Sequence, residues 1–159
     1  MTLELVAFDI ETTGFEVRDE VTVVGFAVPM GVRVFVQTGG QAAPDVEASV
    51  RDRVDSHAQV STHESECVLL EAVGAFAAER LVGSDVLLVA FNGELWRSGF
   101  DLPFLRTRLS RSDVEWPFRE MPYADLLPVV TNRFNTTGED GESRSDLASV
   151  YETLCDKTC

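Results

Sequence analysis

Asp9 and Glu11, in the run Val-Ala-Phe-Asp-Ile-Glu-Thr-Thr-Gly, are two carboxylates one residue apart at the end of an apolar stretch. In an extended chain, positions i and i+2 face the same side. Both acids can therefore reach one divalent ion, and an oxygen-only donor set suits Mg²⁺ or Mn²⁺. Spacing alone says little, because Glu64-x-Glu66 shares it and reads as a solvated helix start. Position separates the two pairs. Asp9 closes an otherwise apolar strand, where an uncompensated charge is costly without a cation.

The stretch Phe8-Asp9-Ile10-Glu11-Thr12-Thr13-Gly14 resembles the first motif of the DEDD 3′–5′ exonucleases, including the proofreading domains of family B DNA polymerases. Phe100-Asp101-Leu102-Pro103-Phe104-Leu105, following Asn92, is similar to their second motif, in which an Asn precedes a Phe-Asp pair and the Asp begins a helix. The resemblance implies an RNase H-like fold and two-metal hydrolysis of single-stranded DNA or RNA from a 3′ end, with two Mg²⁺ or Mn²⁺ ions about 3.5–4 Å apart. It implies that Asp9 bridges both ions, Glu11 holds the first, and Asp101 supports the second. It places Thr12, Thr13, Asn92 and Phe100 against the substrate.

Two departures accompany the match. Seven residues separate Asn92 from Phe100, where the polymerase pattern has three. The family's fourth acid comes from a late helix as Tyr-x3-Asp or His-x4-Asp, and neither pattern follows Asp101; Tyr151-x4-Asp156 is off by one residue. Asp125 and Asp146 are nearer, but read as acids of ordinary helices: Asp125 beside Leu126 and Leu127, Asp146 in a first turn. The Tyr or His that serves the family as base has no counterpart here either.

The elements needed to position these residues are visible as patterns. Residues 3–10 read as a buried strand, and 21–29 and 31–37 as two more, joined by a turn at Met30-Gly31. Residues 41–60 are polar and Ala-rich, a surface helix or an excursion. Ser61-x-x-Glu64 matches a capping box and predicts a helix to about residue 81. Val86 to Phe91 reads as a strand covered on both faces. Helices follow from Asp101 to about 109, over 122–133 with a break at Pro128, and from Ser145 to 154. The fold class is therefore α/β, a mixed sheet of an antiparallel three-strand meander plus a parallel strand, flanked by helices. Residues 1–159 are expected to form one RNase H-like exonuclease domain, either whole or lacking its C-terminal element.

Asp and Glu number 27 against 13 Lys and Arg, giving a formal net charge of −14. Only Lys157 is a lysine. An acidic, Arg-dominated chain fits a salt-adapted, halophilic cytoplasm, and a GC-rich genome would also favour Arg codons. Such a charge repels nucleic acid in dilute buffer, but at about 1 M salt the Debye length falls to about 3 Å. Within 95–112, Arg97, Arg106, Arg108 and Arg111 face one acid, Asp101. They either recognise phosphate or solvate a helix face. Cys67, Cys155 and Cys159 give no disulfide framework. No apolar run reaches the roughly 18–20 residues of a membrane span, and no secretory start is visible, so a cytoplasmic location without membrane partners is expected. Against the active exonuclease stands a catalytically incomplete module that binds nucleic acid or protein. A bare acidic interaction domain would need both motif matches to be accidents.

Overall fold

A computed structural model describes residues 3–43, 45–54, 56–82, 85–93, 100–138 and 140–155. The first strand, β1 (Glu4–Thr12), alternates strictly: Val6, Phe8 and Ile10 are buried, whereas Leu5, Ala7, Asp9 and Glu11 face the other way and are exposed. The expectation of a fully buried strand is thus corrected. Only one face of β1 is sealed, and the period of two sorts core residues from acids.

β2 (Val21–Val28) and β3 (Gly31–Gln37) complete an antiparallel meander with β1. A short helix, α1 (Val46–Arg51), leads to β4 (Ala58–His63), which pairs parallel to β3. This strand replaces the helix start expected at Ser61. The true cap is Ser65, whose hydroxyl accepts the Val68 N–H at the head of α2 (Glu66–Arg80). Parallel pairing with β3 supplies backbone partners that outweigh the local capping pattern. His63, the last residue of β4, stacks on Phe35.

β5 (Val86–Ala90) runs parallel to β1, with one face buried and the other half-open rather than covered on both sides. α3 (Asp101–Arg111) follows, then β6 (Tyr123–Asp125), α4 (Leu126–Arg133) and α5 (Leu147–Cys155). The six strands lie in the order β4-β3-β2-β1-β5-β6, a mixed α/β sheet. Pro128 does not break α4: it stands third, where its missing N–H has no helical partner to lose.

Leu69, Leu70, Val73 and Ala77 of α2, with Leu102, Leu105 and Leu109 of α3, pack on the sealed sheet face around Phe8, Phe26 and Phe35. Each fully buried Leu or Phe contributes about 1.5–3 kcal/mol. Truncating Leu105 to Ala would leave a cavity costing about 2–5 kcal/mol. Phe26 joins this core by ring contacts to Phe8 at 5.5 Å and Phe76 at 5.2 Å. Among the described residues, no helix is long and apolar enough to cross a membrane.

Candidate functional site

Asp9 and Glu11 end β1 in the centre of the sheet, on its open face. Opposite Asp9 stands Gly25, so no side chain crowds the carboxylate from β2. Between Glu11 and Thr12 the pairing with β2 shifts register. Such bulges twist a strand and re-aim the side chains beside them.

Asp101 is the first residue of α3, and the N–H of its neighbour Leu102 donates at 3.0 Å to the carbonyl of Gly93, three residues past the end of β5. A helix N-terminus ordinarily favours an ionised acid. Here burial comes first and the carboxylates of Asp9, Glu11 and Asp125 follow, and together they push Asp101 up to about 7. Asp9 is raised as well, by partial desolvation and then by Glu11, with a hydrogen bond from the Ile10 N–H pulling the other way. These shifts place four acids within electrostatic reach of one another at one end of the sheet. Among the described residues, however, no three such side chains stand close enough to hold an ion as they are.

Asp125 is the acid that sequence reasoning set aside. It was expected inside a helix, but it ends β6 and caps α4, and one carboxylate oxygen accepts both the Leu127 N–H (3.1 Å) and the Asn92 N–H (2.9 Å). A three-residue strand is too short for any periodic signal, so its end could not be located from sequence. Asp146 caps the head of α5 through the Ser149 N–H and lines the same cleft as Asp9.

The remaining expected residues fall into different roles. Asn92 adopts a left-handed backbone (φ 65°), and its side-chain oxygen is buried with no hydrogen-bond partner among the described residues. Phe100 precedes Asp101 and packs on Phe104 at 4.5 Å and on Phe15 at 5.2 Å. Phe15, 84% exposed, was not singled out in the sequence, although its place four residues after Glu11 was readable. Thr12 donates its hydroxyl to the Gly14 carbonyl, and the Thr13 hydroxyl accepts the Glu20 N–H. Both hydroxyls are thus engaged within residues 12–20.

No family model matches the chain, and no curated protein matches it.

The arginines of α3 divide. Arg108 turns inward to a buried ion pair with Glu66, so it neither solvates a surface nor stands ready for phosphate. Arg111 donates to the Val17 carbonyl at 2.6 Å, and Arg106 lies over Trp116. Arg97 falls outside the described residues, as does Asp156. Beside the acids, a cleft of about 580 Å³ opens on the sheet face, floored by Ala7, Gly25, Ala27, Val34 and Val89. Asp9, Asn92 and Asp146 form its polar rim. The arrangement offers clustered hard oxygen donors, an apolar surface and an aromatic pair at one end of the sheet.

Proposed function

We propose that the chain is an RNase H-like domain that binds Mg²⁺ or Mn²⁺ and hydrolyses phosphodiester bonds at the 3′ end of single-stranded nucleic acid. One observation carries this reading: burial first, and then the carboxylates of Asp9, Glu11 and Asp125, hold the Asp101 carboxyl at about 7. A fold gains nothing from such mutual repulsion, whereas a divalent cation relieves it. The donors are carboxylate oxygens, which fit a hard cation, and an ion would draw together groups that repulsion holds apart.

When bound, the metal would supply a water activated at neutral pH and charge stabilisation for the leaving oxygen. The chain's own residues do the rest. Asp9 and Glu11 present donors from a strand whose register admits no other facing. Asp101 closes the opposite wall and must shed its proton to do so, which favours binding as pH rises through 7. Asp125 braces the turn at Asn92 and the head of α4. The Phe15–Phe100 pair offers a face on which a terminal base stacks without sequence preference.

The second reading, a nucleic-acid- or protein-binding module that does not cut, is favoured by the absence of a ready three-acid ion cage among the described residues. The test is release from 3′-labelled single strands in Mn²⁺ and molar KCl, beside an Asp9→Ala control. Release by the parent and none by the control is expected. No release by the parent, or equal release by both, sinks the catalytic reading.

A further inference from the structure

Glu66 is a carboxylate with 6% exposure in a chain rich in solvated acids. The Nε and Nη2 groups of Arg108 both donate to it, the former at 2.7 Å, and Nη1 donates to the Val17 carbonyl at 3.2 Å. Glu66 Oε1 also accepts the Val21 N–H at 2.8 Å. Val21 pairs with Thr12 on the far side of the register shift that follows Glu11. One buried ion pair therefore joins the head of α2, the middle of α3 and the strand end that bears the acids.

The loop of residues 13–20 is fastened to α3 at two separate places. At one, Phe15 meets Phe100, the neighbour of Asp101. At the other, Arg108 and Arg111 both hold the Val17 carbonyl. Residues 101 and 108 are two helical turns apart, about 10 Å along the axis. Attachment at two points that far apart fixes the tilt of a helix as well as its distance. A buried ion pair is weak evidence for stability, since apolar residues of similar volume often serve the core as well. Its value is geometric.

We infer that Arg108, acting with Glu66, is a positioning residue that sets the gap between the Asp101 wall and the Asp9/Glu11 wall of the ion site. The inference rests on the metal-site reading above. Lysine cannot replace this arginine, because it lacks the planar fork that grips Glu66 on two oxygens while reaching Val17.

Arg108→Met alone strands a buried carboxylate and threatens folding. The informative variant is Glu66→Gln/Arg108→Met, which removes both charges and keeps an acceptor for the Val21 N–H. Thermal unfolding in EDTA and calorimetric titration with Mn²⁺ are measured for the parent, the double variant, Arg108→Lys and Asp9→Ala. The double variant is expected to unfold within a few degrees of the parent yet bind Mn²⁺ about 10–100-fold more weakly, the range seen when groups that orient metal ligands are removed. Its kcat on labelled single strands is expected to fall with KM little changed. Arg108→Lys should recover little of the affinity. A well-folded double variant with parental Mn²⁺ affinity overturns the positioning role and leaves the metal site standing. A parent that ignores Mn²⁺, or an Asp9→Ala variant that binds it equally, overturns the metal reading and this inference with it.

Discussion

Replacing Asp101 with Asn should make the metal-free protein more stable. The Asp101 carboxyl is held at about 7 against an ordinary 3.8, so the folded state holds its proton more tightly than the unfolded chain does. The stabilisation linked to that proton is complete below 3.8 and is lost as pH rises through 7. At pH 8 the folded protein carries the whole electrostatic cost. The interval between the two values sets a ceiling of about 4 kcal/mol, at about 1.36 kcal/mol per pH unit. The site keeps solvent access, and screening reduces this to about 1–2 kcal/mol. Loss of a negative charge at the α3 N-terminus works the other way by about 0.3–1 kcal/mol, which brings the net gain to about 1 kcal/mol. For a chain of this size that raises Tm by about 2–4 °C. Calorimetry in EDTA and 0.1 M salt at pH 8 would show the gain, and at pH 4 it should vanish. In 1 M KCl it should shrink, since the Debye length falls to about 3 Å. Excess Mn²⁺ should raise the Tm of the parent and not of the variant. A variant that is less stable at pH 8, or whose advantage is the same at pH 4, refutes the argument that these acids repel one another in the fold.

Phe15→Ala should leave Tm within about 1 °C, because the ring is 84% exposed, and should raise KM for single strands about tenfold, as loss of one base-stacking face costs about 1–3 kcal/mol; an unchanged KM in steady-state assays counts against base stacking there. Asp125→Ala removes a helix cap and the acceptor for the Asn92 N–H, and unfolding curves should show a loss of about 2 kcal/mol. Asp125→Asn keeps an oxygen for both donors and should retain most of that stability, which the same curves check. Mn²⁺ affinity measured by calorimetry from pH 6 to 8 should strengthen as Asp101 loses its proton, and a flat profile would exclude that carboxyl from the ion.

The sequence disclosed the elements whose side chains repeat over several residues. β1, β2, β3 and β5 showed as apolar runs, and the α2 and α3 stripes showed as helical spacing. β4 did not, because four of the six residues of Ala-Gln-Val-Ser-Thr-His are polar and the segment becomes a strand by pairing with β3, which no local pattern records. β6 is three residues long. That same brevity hid the position of Asp125, an acid whose meaning depends on where a strand ends. That Asp9 and Glu11 share one face of β1 was legible from the i, i+2 alternation of a strand. The inward turn of Arg108 was not, since nothing in the sequence separates an arginine bound to a buried glutamate from one that solvates a helix.

β1 carries two texts in alternate letters: Val6, Phe8 and Ile10 write the core, and Ala7, Asp9 and Glu11 write the open face. A slip of one residue would drive Asp9 into the core and turn Phe8 out to water. The strand is also held by two neighbours with different rules, antiparallel β2 and parallel β5, so a slip would have to break both ladders at once. Misaiming the acids and failing to fold are therefore a single error. Any molecule that passes a test of folding already has Asp9 and Glu11 on the open face of the sheet, and selection on stability guards that facing.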